Sequence, residues 1–323
     1  MSHITAAENM SLWKGRQDPE PNSVRWHQMI QENSLVNLGG LDKPAGVALL
    51  GFSCDAGVRR NQGRLGAAQG PNALRQQLTN LPWLQQSPLY ECGNIVCSDD
   101  ALEEAQIDFA EKTTLLLDQG HFPIGLGGGH EIAFASWSGL SNHLKKKEDA
   151  PRIGIINFDA HFDLRDPSCQ PVSSGTPFAQ IAEVCAHNLW NYHYACLGVS
   201  RMSNTPVLFD RADALNVWYQ EDLQMTLKNL PNLEAQLDQF IHQCDHLYLT
   251  IDLDVFPAAQ APGVSAPAAR GVSLEVIEPL LMQIRDSGKL RLMDLAELNP
   301  TFDQDAHTAR LAARLVHQIT LNR

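Results

Sequence analysis

The sequence predicts an α/β fold: one doubly wound domain built on a mainly parallel sheet. Short, continuous apolar runs with β-branched residues alternate with longer helix-like stretches through most of the chain. The strand-like runs are apolar throughout, as strands are when crossover helices cover both faces of a parallel sheet. No repeat with a period of about 20–50 residues, low-complexity tract or linker divides the 323 residues. At roughly 150 residues per domain two units are conceivable, but α/β folds of this size are commonly one. Residues 1–323 are therefore expected to form a single domain, with the polar first 45 residues wrapping its surface.

In chain order, the apolar run Val47–Phe52 opens the sheet, and Pro71–Leu78 reads as a helix with proline where its missing N–H costs nothing. Leu102–Leu117 reads as a helix leading into strand Phe122–Leu126. Helix Ile132–His143 then precedes strand Ile153–Phe158. Pro177–His187 again begins on a first-turn proline, before strands Tyr194–Val199 and Val217–Tyr219. Leu233–His242 leads to strand Leu247–Ile251, and Leu274–Ile284 to strand Leu290–Leu295. Ala306–Ile319 closes the chain as a helix.

Composition removes several classes of function. Lys and Arg total 24 against 37 Asp and Glu, a formal charge of −13 that repels nucleic acid. No apolar run approaches the roughly 18 residues of a membrane span. The N-terminus lacks the basic and apolar regions of a secretory signal, so a cytoplasmic protein with no membrane partner is expected. Seven cysteines occur singly, with no C-x-x-C pair. That argues for reduced thiols and against a zinc knuckle or a redox couple, with Cys196 and Cys244 as core filler.

Ligands bind such sheets beyond the carboxyl ends of the strands, and polar residues crowd there. Phe122–Leu126 ends in Gly127-Gly128-Gly129-His130-Glu131, and Ile153–Phe158 in Asp159-Ala160-His161-Phe162-Asp163. Leu247–Ile251 runs into Asp252-Leu253-Asp254, and the last strand into Glu297-Leu298-Asn299-Pro300. Asp159, His161 and Asp163 share one face if the segment stays extended, as do Asp252 and Asp254. Carboxylates on one face repel unless a cation lies between them. A solvated acidic turn, or a histidine that merely satisfies hydrogen bonds, is the plainer reading of each motif alone. Taken together, His130, Asp159, His161, Asp163, Asp252 and Asp254 exceed what one catalytic zinc takes, and they suit two divalent cations. Oxygen-rich ligation without thiolate points to Mn²⁺, two per subunit.

These motifs resemble the arginase–agmatinase (ureohydrolase) family, whose signatures are a G-G-x-H strand end, D-A-H-x-D and a later D-x-D. The resemblance covers residue 45 to the C-terminus in matching order. It implies a three-layer αβα sandwich, frequent trimers or hexamers, and the six residues above as Mn²⁺ ligands with Asp159 and Asp252 bridging. It also implies Glu297 as the acid that holds the amidine nitrogens, and Asp254 as the group that passes a proton to the departing nitrogen.

Three departures point to one branch. Gly129 and Glu131 flank His130 where G-G-D-H is usual, and Ser174 takes the place of a proton-shuttling histidine. Val255-Phe256-Pro257 follows the D-x-D pair and leads to Ala261-Pro262-Gly263-Val264-Ser265-Ala266-Pro267. With Trp13-x-Gly15-Arg16-x-Asp18, they resemble the branch that hydrolyses N-formimidoyl-L-glutamate to L-glutamate and formamide in histidine degradation. Arg59, Arg60 and Arg64 form a concentrated cationic patch beside Asn61, suited to a dicarboxylate substrate. Arg60, Asn61, Arg64, Ser174, Arg201 and Glu297 are accordingly expected to bind substrate. Agmatine or guanidinobutyrate hydrolysis, a one-zinc deacylase and a non-catalytic metal-stabilised binding protein are the competing readings.

Overall fold

The structure is a computed structural model that describes residues 3–5, 10–33 and 43–321. Its ten strands are β1 (His3–Thr5), β2 (Gln31–Glu32), β3 (Val47–Ser53), β4 (Leu89–Val96), β5 (Phe122–Leu126), β6 (Ile153–Phe158), β7 (His193–Val199), β8 (Trp218–Glu221), β9 (His246–Asp252) and β10 (Leu290–Ala296). They form one sheet in the order β1-β4-β3-β5-β10-β9-β6-β7-β8, with β2 also pairing β4. β1 runs antiparallel to β4, and the other pairings are parallel.

The helices are α1 (Trp26–Met29), α2 (Ala56–Arg60), α3 (Gly70–Leu78), α4 (Leu102–Asp118), α5 (Ile132–Leu144), α6 (Pro177–Asn188), α7 (Pro206–Ala214), α8 (Leu230–His242), α9 (Leu274–Asp286) and α10 (His307–Thr320). One face of the sheet packs against α3, α8, α9 and α10 through Leu74, Leu237, Leu281 and Leu315. Leu117, Trp137, Phe178 and Leu208 bring α4 to α7 onto the other. Every residue of β5 and β6 is buried, which is why their sequences show no polar alternation.

Beyond the short elements of the first 45 residues (β1, α1 and β2), the sequence pattern does not show β4, α2 or α7. Strand β4 carries Glu91 and Asn94, which break its apolar run, and both are buried. Arg75 of α3, itself fully buried, compensates them: Nε and Nη2 fork Glu91 at 2.7 and 2.8 Å, and Nη1 reaches Asn94 Oδ1 at 2.7 Å. Helix α2 occupies part of what reads as a loop after β3, and α7 follows β7. Within the polar N-terminal segment, Trp13 and Trp26 are buried in the large core, and Trp13 Nε1 donates to Glu91 Oε2 at 2.9 Å.

Candidate metal centre

The four strand ends with the polar motifs belong to β5, β10, β9 and β6, which lie side by side in that order. The glycines after β5 thread between the ends of β3 and β10. Gly127 N donates to Leu295 O and Gly128 N to Phe52 O, each at 2.8 Å, and Gly129 N donates to Cys54 O at 2.9 Å. A Cβ at Gly127 would overlap Leu295 O, and one at Gly128 would overlap Cys54 O. Close backbone approach, not a left-handed turn, is what glycine supplies here.

His130, delivered by this loop, is 1% exposed. Its Nδ1 lies 3.1 Å from Asp159 Oδ2, 2.9 Å from Asp163 Oδ2 and 3.3 Å from Asp252 Oδ2. Nε2 is engaged by Thr250 Oγ1 at 3.0 Å, which leaves Nδ1 facing the three carboxylates. In a second group, His161 Nδ1 lies 3.0 Å from Asp254 Oδ2 and 3.5 Å from Asp159 Oδ1. Thus His130, Asp159, Asp163 and Asp252 converge on one point, and Asp159, His161 and Asp254 on another. The two oxygens of Asp159 serve both groups.

The route to this arrangement differs from the expected extended face. The chain bends after Asp159, and Asp163 adopts φ +48°, so His161 and Asp163 diverge into different groups. Asp252 falls in the His130 group, and its Oδ1 accepts from Asp254 N at 2.8 Å, capping the short turn after β9. Asp159 is pinned by Asn157 Nδ2 at 3.0 Å and by His161 N at 2.7 Å.

Charge in this setting is expensive. Burial pushes the Asp163 carboxyl up to about 6, with Asp159 adding to the shift. Burial and the neighbouring Asp254 and Asp159 carry Asp252 well above the usual carboxylate range. Burial works against protonating His130, but its carboxylate neighbours win and raise it well above an ordinary histidine. His130 Nδ1 is nonetheless buried without a properly directed hydrogen bond. A lone pair turned on three carboxylate oxygens, with no thiolate in the set, is the donor arrangement of a hard or borderline divalent cation.

Glu297, at the end of β10, sits at φ +68° with its N–H on Gly128 O at 2.8 Å. Its Oε1 accepts from His130 N at 3.0 Å, while Oε2 is buried without a partner. The sequence pattern gives Glu131 no role beyond flanking His130. Its Oε1 accepts from Gly57 N at 2.8 Å, and burial lifts its carboxyl to about 7. A Cβ at Gly129 would collide with Glu131 Oε2. The Glu131 carboxylate therefore fills the space that an aspartate at 129 would need, which ties those two departures together.

A cavity of about 320 Å³ opens over both groups. His130, His161, Asp163, Asp252, Asp254 and Glu297 line its floor, and Asn61, Arg64, Arg165 and Ser174 its walls. Asn61 Nδ2 donates to Ser174 Oγ at 3.3 Å. Arg64 reaches the cavity, but its guanidinium donates to Ser265 O and Val264 O and stacks on Phe302.

Two expected substrate residues are corrected. Arg60 turns outward from α2, pairs with Asp100 and Glu103 and donates to Val172 O. Arg201 is 66% exposed and forks Glu221. Neither lines the cavity. Arg165 does, and among the described residues its guanidinium has no carboxylate or carbonyl partner. Its position two residues beyond Asp163 was the sequence signal for it. Thr250, two before Asp252 on the same strand face, was signalled in the same way.

Comparison with known proteins places this geometry among relatives. The Arginase family profile matches residues 45–321. A formimidoylglutamase from Aeromonas salmonicida is 56% identical over 314 residues, covering 97% of this chain and 98% of that protein. One from Vibrio vulnificus is 52% identical, covering 99% and 97%. A crystal structure of Trypanosoma cruzi formiminoglutamase with Mn²⁺ superposes with a TM-score of 0.75 at 25% identity, over 89% of this chain and 97% of that one. A Bacillus subtilis formimidoylglutamase structure shares the fold, with a TM-score of 0.81 at 21% identity over 95% and 94%.

Proposed function

Because the chain belongs to the arginase family, we propose that it hydrolyses N-formimidoyl-L-glutamate to L-glutamate and formamide, a step of histidine degradation. The observation that carries this reading is a pair of metal-binding groups sharing Asp159, with an unpaired guanidinium on the wall above them. The first feature suits amidine hydrolysis and the second a carboxylate-bearing substrate.

The donors fit two Mn²⁺ per subunit. His130, Asp159, Asp163 and Asp252 would hold one ion, and Asp159, His161 and Asp254 the other. When bound, the ions supply a water of lowered pKa and Lewis acidity toward charge developing at the amidine carbon.

The chain's own groups do the rest. Thr250 fixes the His130 ring through Nε2 and so directs Nδ1. Glu297 Oε2, buried and unpartnered, accepts from the formimidoyl NH₂, while Oε1 is anchored by His130 N. Asp254 Oδ1, held by a long 3.4 Å bond from Ala160 N, takes the proton released on attack and returns it to the glutamate nitrogen. Arg165 clamps a substrate carboxylate at the cavity wall, with Asn61 and Ser174 beside it. Ser174, bonded to Asn61, positions substrate and does not shuttle protons. Seven free cysteines suit the reducing cytoplasm in which we place the enzyme.

The test is a panel of formimidoylglutamate, arginine, agmatine and guanidinobutyrate assayed with added Mn²⁺. Formamide from the first substrate is the expected product. Urea from any of the others, with formimidoylglutamate untouched, would overturn the assignment.

A further inference from the structure

Spacing along the chain indicates no redox couple among the seven cysteines, but the sheet creates one. Cys54 follows β3 and Cys97 follows β4, and these strands are parallel partners with Phe52 opposite Ile95 and Ser53 opposite Val96. Cys54 and Cys97 are the next pair in that register. Cys97 N extends the ladder by donating to Ser53 O at 3.1 Å. Adjacent strands lie about 4.8 Å apart, within the Cα separation of roughly 4.4–6.8 Å that a disulfide spans. The two thiols are near enough for each to shift the other's titration.

The pair is unequal. Cys54 is buried, whereas Cys97 is partly open to solvent. The Cys54 thiol, and more weakly the Arg60 guanidinium, hold Cys97 below the ordinary thiol range against burial and nearby acids. Cys54 is displaced upward by the same contact and by burial. Cys97 is therefore the thiol that attacks an oxidant, and Cys54 the one that resolves.

Cys54 also touches the support of the metal centre. Its Sγ lies 3.5 Å from Glu131 Oε1, the oxygen that accepts from Gly57 N, and its carbonyl accepts from Gly129 N next to His130. We propose that Cys54 and Cys97 form a hydroperoxide-sensitive dithiol whose oxidation to a disulfide displaces the loop carrying His130 and reversibly lowers activity. The Cys97 thiolate attacks one peroxide oxygen, giving a sulfenic acid and releasing hydroxide, which takes the Cys97 proton to become water. Cys54 then attacks the sulfenic sulfur, forming the S–S bond and releasing a second water. The dithiol loses two electrons and the peroxide gains them.

The activity arm rests on the function proposed above; the thiol chemistry is read independently of it. The Mn²⁺-loaded full chain is titrated with hydrogen peroxide, alkylated and peptide-mapped, in a Cys169→Ser background because Cys169 is exposed. The expected result is a Cys54–Cys97 cross-link that removes two hydrogens and weakens Mn²⁺ retention. Hydrolysis should fall about tenfold or more, since small displacements of an active site are costly, and dithiothreitol should restore it. Cys97→Ser and Cys97→Ala should keep the starting activity and resist peroxide. Oxidation confined to other cysteines, a cross-link that leaves Mn²⁺ retention and activity unchanged, or Cys97 variants inactivated as fast as the parent would overturn the proposal. Should the chain prove inactive on formimidoylglutamate, the cross-link and Mn²⁺ retention still decide it.

Discussion

Replacing Arg165 by alanine, beside the same change at Arg60, separates substrate recognition from scaffold. In the free protein Arg165 has no carboxylate or carbonyl partner among the described residues, so its loss should move folding stability by no more than about 0.5 kcal/mol. What disappears is a charge-assisted fork on a substrate carboxylate at a partly solvated wall. That is worth about 2–3 kcal/mol, or roughly 30- to 150-fold in kcat/KM. The contact lies away from the reacting carbon and persists through the reaction, so the loss should appear mainly in KM. Arg60→Ala should behave oppositely. It removes pairs to Asp100 and Glu103, whose side chains are 56% and 57% exposed, and should cost about 1 kcal/mol of stability while leaving KM unchanged. Steady-state formamide release and thermal melts of both variants are the assays. An R165A enzyme with the parent KM, or an R60A enzyme whose KM rises in its place, would refute the reasoning.

Two further predictions concern the metal centre. Asp159→Asn should strip both ions, because its two oxygens serve both groups, whereas Asp163→Asn should leave the His161 group loaded. Metal analysis after dialysis distinguishes them, and a D159N protein retaining two ions per chain would show that Asp159 is not shared. The second concerns pH. Burial raises Asp163 to about 6 and Glu131 to about 7, and carboxylate contacts raise His130 and His161. Folded values above unfolded ones mean stability that is present at low pH and lost as pH rises. Metal-free protein should therefore weaken progressively from about pH 4 to about pH 7, with the lowered Asp159 acting in the opposite sense below that range. Mn²⁺ requires the ionised carboxylates, so its stabilising effect should grow over the same interval. Melts of chelated and Mn²⁺-loaded samples across this range provide the check, and chelated protein that gains stability with rising pH would contradict it.

Much of the site was legible because metal ligation imposes residue types that packing does not. His130, the 159–163 triple and the 252/254 pair stand at strand ends where an apolar core has no use for them. Arg60 misled for a related reason. Its place in a basic cluster was visible, but its direction was not, and α2 turns it toward the first turn of α4. β4 was hidden because Glu91 and Asn94 break its apolar run, and what makes them tolerable is Arg75, a residue on another element.

By itself, the order of residues determined most of the alternation of strands and helices, the layered class of fold, and the chemistry gathered at the carboxyl ends. Those properties follow from local periodicity and from the side chains each segment carries. Tertiary structure alone decided that Asp159 is held in common by two groups while Asp252 is not, that Glu131 occupies the space vacated at Gly129, that Arg165 and not Arg60 faces the cavity, and that two distant thiols become neighbours. Each depends on the register between strands or on the direction in which a turn releases a side chain. Both are set by contacts between segments far apart in the chain.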